Sequence, residues 1–561
     1  MTAYQNYPTE KYTTLRELYR TAAEKFADKA LFMQKENGAY QSYSYQQFAS
    51  DVDALGTALT AHGFGGAHVM LIGQSSYEWM LSYMTVVCGV GVIVPVDKSL
   101  AADALRSLAD TADITAVIYA DKNAEQLADL PQELKKIAFS ELPALIEEGK
   151  ELLQNGNRDF TDTPINPNEM CALFFTSGTT GQSKGVMISH KNLCFNLSEM
   201  GQMVNVGEDD LFLSVLPMHL PFESTCGILF PMSRGCTVAI SESLRRVMRN
   251  MQEVCPTVIN CMPLFMETIY NKLWANIKAQ GLEKRVRFSV KVTNAIYPDR
   301  VRFGAKRKIF SAIHKSFGGK LCTMISGGAA LKSDVVRGLR DFGINAIQSY
   351  GLTECAPLAA INRDTHASDS AAGMATPNAL LDIYDVHNDG TGEIRYKGDN
   401  VMLGYYKMPE LTEKVLRDGW LYTGDLGMID ENGLLHITGR KKNVILTATG
   451  RHVFPEELEL LLSESPYVRD AIVLGIPNEQ KTERQIVAII QPNIPHVMEV
   501  YGRDYTPAQL DLEIKKAISE VNSAVKPYKH IQSHVLRRED FPKNTSGNIR
   551  RDLIVSEYVK S

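Results

Sequence analysis

The segment Thr176-Ser-Gly-Thr-Thr-Gly-Gln-Ser-Lys-Gly185 follows the apolar run Leu173-Phe174-Phe175. Gly178, Gly181 and Gly185 permit backbone conformations that aim successive N–H groups inward. The hydroxyls of Thr176, Ser177, Thr179 and Thr180 add donors, and Lys184 adds a positive charge. Such a loop suits a polyphosphate. It is not a Walker loop, because Ser183 stands five residues after Gly178 and no Gly-Lys-Ser/Thr follows. A flexible Gly/Ser/Thr linker would not be bounded so abruptly by apolar strand residues.

Two further clusters have the right chemistry to complete a nucleotide site. Ser349-Tyr-Gly351-Leu-Thr-Glu-Cys355 follows the small-residue turn Ser326-Gly327-Gly328-Ala329-Ala330. There Tyr350 can stack on a base, Thr353 can donate to phosphate, and Glu354 can hold a magnesium ion that bridges phosphate oxygens. Gly419-Trp-Leu-Tyr-Thr-Gly-Asp425 precedes Gly439-Arg-Lys-Lys-Asn443. An Asp425 carboxylate accepting from two ribose hydroxyls, backed by Arg440, makes a sensible sugar clamp. His219, in Leu216-Pro-Met-His-Leu220, reads equally as a core histidine or as a group of the site.

The elements that must position these residues are of two kinds. Ser44 and Gln47 form a capping box ahead of Phe48, Val52, Leu55 and Leu59, an amphipathic helix. Val69–Ile72, Val92–Val96 and Ile114–Tyr119 read as short buried strands, with helix around Leu105–Leu108. A second region, 168–358, offers strands at Leu211–Leu216, Thr237–Ile240, Thr257–Asn260 and Leu321–Ser326. Short apolar strands alternating with helices predict mostly parallel sheets, one for each region, covered on both faces. From about Thr391 hairpins take over, the clearest being Met428–Ile437 around Asn432-Gly433. The last 120 residues mix strands (Ala471–Leu474, Ile486–Ile490) with a helix at Leu510–Val525, a separate α+β lobe. Trp79–Val96 is uncharged for 18 residues, but its Ser, Thr, Gly and Pro content predicts a buried helix ending near Cys88, a glycine turn and a strand.

Composition narrows the class. At 561 residues, with 44% hydrophobic and 22% charged residues, the chain is globular and multi-domain. A net charge of −6 argues against a nucleic-acid binder. Nine scattered cysteines without metal-finger spacing, and a first segment without a basic-then-apolar leader, predict a cytoplasmic protein. Residues 271–320 stand apart, with 13 Lys or Arg against only Glu283 and Asp299. Phe288, Ile296, Tyr297, Phe303 and Phe310 are interleaved with these charges. The stretch reads as a solvated helical excursion, as peripheral contact with an anionic inner membrane surface, or as an entry zone for an anionic amphiphile.

In this order and spacing the motifs resemble the adenylate-forming (AMP-binding) enzyme superfamily over essentially the whole chain, most of all bacterial long-chain fatty-acid–CoA ligases. The resemblance implies an α/β fold: a large N-terminal lobe of two helix-covered, mostly parallel sheets plus a distorted β-barrel (1–440), and a small mobile α+β lobe (441–561). It implies ATP, Mg2+ and coenzyme A, with a fatty acid as substrate. By the same resemblance, Thr176, Ser177, Gly178, Thr179, Thr180, Gly181 and Lys184 bind phosphates. Gly327, Gly328, Ala329, Ser349, Tyr350, Gly351 and Thr353 surround the nucleotide, Glu354 and Thr176 face the metal, and Asp425 and Arg440 hold the ribose. Lys442 becomes the hinge, Gly450 lines the thiol path, and His219 lies near the acyl carboxylate.

One position departs from the family. Its Pro-Lys-Thr-x-x-Gly-Lys pattern places a last lysine in the site during adenylation, whereas Phe541-Pro-Lys-Asn-Thr-Ser-Gly-Asn548 ends on asparagine. Three readings stay open on the sequence: a ligase that tolerates Asn548 or compensates with Lys543 or Arg550; an enzyme that loads an acyl carrier protein; and an adenylation-impaired nucleotide or acyl-adenylate binder.

Overall fold

The structure, a computed structural model, describes residues 6–176, 183–297, 303–388, 390–447, 451–477, 484–543 and 547–559. The chain divides into two units, one of residues 1–381 with 396–421 and one of residues 382–395 with 422–561.

The larger unit is built on two mixed sheets. A seven-stranded sheet runs in the order Gly404–Tyr405, Lys184–Ser189, Met170–Thr176, Gly91–Val96, Ala67–Ile72, Ala116–Tyr119, Lys135–Ala138. Its last five strands are parallel, and Met170–Thr176 pairs antiparallel with Lys184–Ser189. A nine-stranded sheet has a parallel centre, Asn345–Gly351, Thr323–Ser326, Val258–Cys261, Leu211–Ser214, Thr237–Ile240 and Ala30–Glu36. Antiparallel strands flank that centre.

The alternating pattern of strands and helices therefore appears as expected, but the expected split of one sheet per region does not hold. Ala30–Glu36, with its hairpin partner Ala39–Ser44, joins the sheet of the second region by pairing with Thr237–Ile240, and Met170–Thr176 joins the sheet of the first region. Period and composition mark a strand; which sheet it enters depends on long-range packing.

Local signals act as read. Ser44 caps the helix Tyr45–Ala61 by accepting from the Gln47 N–H at 3.1 Å, and Phe48, Val52, Leu55 and Leu59 are fully buried. The uncharged run becomes a helix Tyr77–Thr85, a wide π-turn Val86–Val90 that leaves helical geometry at Cys88 and Gly89, and the strand Gly91–Val96. Among the described residues no helix is long and apolar enough to cross a membrane. Seven of the nine cysteines are buried.

A further sheet has five strands, Leu380–Tyr384, Gly392–Lys397, Trp420–Ile429, Leu416–Arg417 and Leu435–Arg440. The Asn432-Gly433 hairpin forms, with Gly433 at φ +80°. The smaller unit adds a three-stranded sheet, Val468–Pro477, Arg484–Pro492 and Ser533–Leu536, with the helix Pro507–Ala524 packed on it through Leu510, Ile514, Ala517 and Val521.

Candidate active site

In the larger unit the site residues sit where the strands end. Parallel strands deliver their C-terminal loops to one edge of a sheet, the usual place for ligands in α/β folds. The strand Thr323–Ser326 ends in Gly327–Ala329, and Asn345–Gly351 ends in Ser349-Tyr350-Gly351. The Ser349 hydroxyl donates to the Ser326 carbonyl at 2.9 Å and so joins the two ends. Gly328 has φ +85°, and a Cβ on Gly351 would lie 1.8 Å from the Pro357 carbonyl oxygen, so that position admits only glycine. Tyr350 is buried, while Gly328 and Ala329 are exposed.

Thr176 and Lys184 form the last register pair of the antiparallel ladder on the other sheet. Between them, Ser177, Gly178, Thr179, Thr180 and Gly181 lie outside the described residues, as does Gly450. The Lys184 ammonium stands 5.2 Å from the ring centre of Tyr405, whose strand Gly404–Tyr405 pairs with Val186 and Met187. The Tyr405 hydroxyl donates to the Glu354 carboxylate at 2.8 Å. Burial, and then the Glu354 charge, push the Tyr405 phenol far above its ordinary value, so it stays a donor. Tyr405 thus links Lys184 with the carboxylate of Glu354. Neither its type nor its position marks it in the sequence.

The turn Thr353–Cys355 is braced from inside. Asn196 donates to the carbonyls of Cys355 and Ala356 at 2.8 and 2.5 Å, and Asn400 donates to those of Cys355 and Leu358 at 2.8 and 2.6 Å. Tyr396 donates to Asn400 at 2.9 Å, and the Met402 N–H donates to the Glu354 carbonyl at 2.9 Å. Asn196, Asn400 and Tyr396 are all buried. Sequence reading missed these amides; the contacts span 45 residues from Asn400 to Cys355 and 159 from Asn196.

His219 is partly exposed in the turn after Leu211–Ser214. Burial lowers its pKa; the Asp97 carboxylate opposes this and the Lys98 cation adds to it. The imidazole is therefore neutral near pH 7 and able to accept a hydrogen bond. Three residues on, Phe222 opens a π-helix, Phe222–Leu229, and a Cβ on Gly327 would lie 3.2 Å from the Phe222 ring. Next to it, Glu223 is completely buried, accepts from the Ser214 hydroxyl, and is pushed up to about 8 by burial.

In the smaller unit Asp425 and Arg440 are a cross-strand pair, with Arg440 Nε 3.0 Å from the buried Asp425 Oδ1. Glu393, also buried, accepts from the Gly424 N–H at 3.2 Å and pairs with Lys441 at 2.8 Å, holding the turn before Asp425. Lys442 follows in the short turn Lys441–Asn443; desolvation and the Arg440 cation lower its pKa. Asn548 is exposed beside Gly547 (φ +79°), where Lys543 and Ile549 form a single bridge. Lys543 is bound to Asp470 at 2.8 Å and Arg550 to Asp552 at 3.1 Å. Both candidates for compensating charge are thus already engaged.

The donors expected for a cation are the Glu354 carboxylate and the Thr176 hydroxyl. Among the described residues no three His, Cys, Asp or Glu cluster as a metal cage. Few, hard oxygen donors fit Mg2+, which keeps most of its waters or takes phosphate oxygens in their place.

Comparison with known proteins defines the class. The AMP-binding enzyme pattern matches residues 19–406, and the AMP-binding enzyme C-terminal domain matches residues 442–561. The chain therefore belongs to the AMP-binding enzyme family. It is 31% identical to long-chain-fatty-acid–CoA ligase 5 of Rattus norvegicus, over 79% of this chain and 70% of that one. It is 26% identical to long-chain-fatty-acid–CoA ligase 1 of Homo sapiens, over 90% and 79%. ATP-bound MatB from Rhodopseudomonas palustris shares the fold, with a TM-score of 0.75 at 21% identity over 97% and 99% of the two chains. Within the family, the protein is an adenylate-forming acyl-CoA synthetase, an AMP-forming acid–thiol ligase.

Proposed function

We propose that the protein activates a medium- to long-chain fatty acid with ATP and transfers the acyl group to coenzyme A. The fatty carboxylate attacks the α-phosphorus and the bond to the bridging oxygen breaks, giving acyl-AMP and pyrophosphate. The thiol sulfur then attacks the acyl carbonyl, losing its proton, and AMP leaves. The observation that carries this reading is the convergence of Lys184 and Glu354 on Tyr405, beside the strand ends that present Tyr350 and Gly327.

Thr176 to Lys184 hold the β,γ-phosphates, Tyr350 stacks on adenine, Thr353 donates to phosphate, and Asp425 with Arg440 binds the ribose. Glu354 and Thr176 hold Mg2+, which when bound supplies positive charge to the phosphate oxygens. Tyr405 keeps Glu354 aimed, and neutral His219 orients the acyl carboxylate. The stretches 217–226 and 325–330 wall the acyl pocket, a reading supported by Phe222 packing at Gly327. The lobe 441–561 turns about Lys442 between the two steps, bringing Gly450 to the thiol path. The boundary between the two family matches supports that division. Asn548 is tolerated in adenylation, and residues 271–320 make peripheral contact with an anionic lipid surface.

The test is pyrophosphate release from Mg-ATP with coenzyme A, across acids from short to long. Release that is strongest for medium to long chains is expected. Silence for every acid overturns the ligase reading and leaves Asn548 as the mark of an impaired adenylating site.

A further inference from the structure

Within the basic excursion, one helix turns exposed apolar and basic side chains outward together. The helix Glu283–Ile296 packs inward through Val286 and Val290, which lie against the core, and through buried Thr293. Asn294 donates to Asp341 at 2.8 Å and accepts from Lys306 at 2.6 Å. The Arg287 guanidinium lies 4.6 Å over the Trp274 ring and pairs with Glu283 at 3.0 Å. These contacts fix the rotation of the helix and leave its other side facing solvent.

That side carries Phe288, Val292 and Ile296, one turn apart, exposed at 68%, 37% and 60%. At about 100° per residue they share an arc of about 140° with Lys284, Arg285 and Lys291. All three cations are exposed, and no acidic residue falls on the arc. An apolar ridge this open is costly in water unless something covers it. Cations that rim and interrupt the ridge disfavour a plain apolar protein partner. Phe, Val and Ile at its centre disfavour nucleic acid, whose phosphates would have to meet them. A bilayer with anionic headgroups satisfies both halves at once, with acyl chains for the ridge and phosphates for the rim.

We propose that the outer face of Glu283–Ile296 docks this protein on an anionic lipid bilayer, with Phe288 and Ile296 entering the acyl region and Lys284, Arg285 and Lys291 meeting headgroup phosphates. This narrows the peripheral-contact reading of residues 271–320 to one helix face and rests on that reading. It places the enzyme where fatty acids partition. Each cation contributes about fivefold to membrane partitioning, and the two large apolar side chains together at least about tenfold.

The test is co-sedimentation of the full chain with phosphatidylcholine vesicles, alone or with about 30 mol% phosphatidylglycerol. Binding to the anionic vesicles that weakens with salt is expected. Phe288→Ser/Ile296→Ser and Lys284→Glu/Lys291→Glu should each cut it at least about tenfold. Both double variants change exposed positions, so an unchanged melting curve and unchanged turnover of a soluble short-chain acid show that the fold survives. Equal binding to both vesicle types, variants that bind like the parent, or capture by RNA in place of vesicles overturns the proposal. Because the readout is sedimentation, its failure stays separate from any failure of the ligase reading.

Discussion

Two turns of this protein are held in opposite ways. The turn Thr353–Cys355 in the larger unit hangs from buried amides, with Asn196 and Asn400 filling four carbonyl contacts and Tyr405 gripping the Glu354 carboxylate. Asn548 in the smaller unit is exposed, next to a bridge between Lys543 and Ile549 and the Lys543–Asp470 pair. A buried hydrogen-bonded network fixes geometry to fractions of an ångström, and removing a member strands its partners. A surface ion pair contributes little and yields easily. The difference fits the roles proposed above, a carboxylate held in place and an Asn548 position that enters and leaves the site.

The sharpest way to break the comparison is Glu354→Gln. Tyr405 can still donate to the amide oxygen, so the fold should hold while pyrophosphate release falls about a hundred- to a thousandfold. A loss below about tenfold would remove Glu354 from the centre of the site.

Asn400→Ala should act through structure. It leaves the carbonyls of Cys355 and Leu358 each short of a buried donor, costing about 3 kcal/mol. A lowered thermal midpoint together with slower pyrophosphate release is expected; a normal midpoint would mean that the network is not a brace.

Glu223 gives the same interior a pH signature. Its carboxyl sits at about 8 against an ordinary 4.5, so the unfolded chain releases the proton in a range where the folded chain keeps it. Its contribution to stability is full below about pH 4.5 and is lost as pH rises to about 8, a change of a few kcal/mol at most. The melting curves of the parent and of Glu223→Gln, compared across that window, should diverge as pH rises. Parallel curves would show that the carboxyl is not held protonated.

The smallest effect belongs to Asn548. Asn548→Lys should leave stability unchanged and alter adenylation less than about tenfold, read as acid-dependent pyrophosphate release without coenzyme A. A gain of about a hundredfold would show that the missing charge limits the native enzyme.

Much of this was legible in sequence because it is local. The Thr176–Gly185 motif, the Ser349–Cys355 cluster, the Asp425 and Arg440 positions and the Asn432-Gly433 hairpin depend on residue type at short spacing. The backbone then placed Thr176 opposite Lys184 and Asp425 opposite Arg440. Of the residues that escaped notice, Tyr405, Asn196, Asn400 and Glu393 are ordinary in type and join the site through contacts with distant segments, while Glu223 is set apart by its burial.

By itself, then, the sequence determined the family, the alternation of strands and helices, the chemistry of the nucleotide loops and the loss of a lysine at Asn548. Only the tertiary structure decided which sheet each strand joins, which phenol grips Glu354, which amides brace its turn, and which face of Glu283–Ile296 is left to solvent. Turn chemistry and periodicity are written within a few residues of chain, whereas burial and hydrogen-bond partnership arise between segments that meet only after folding.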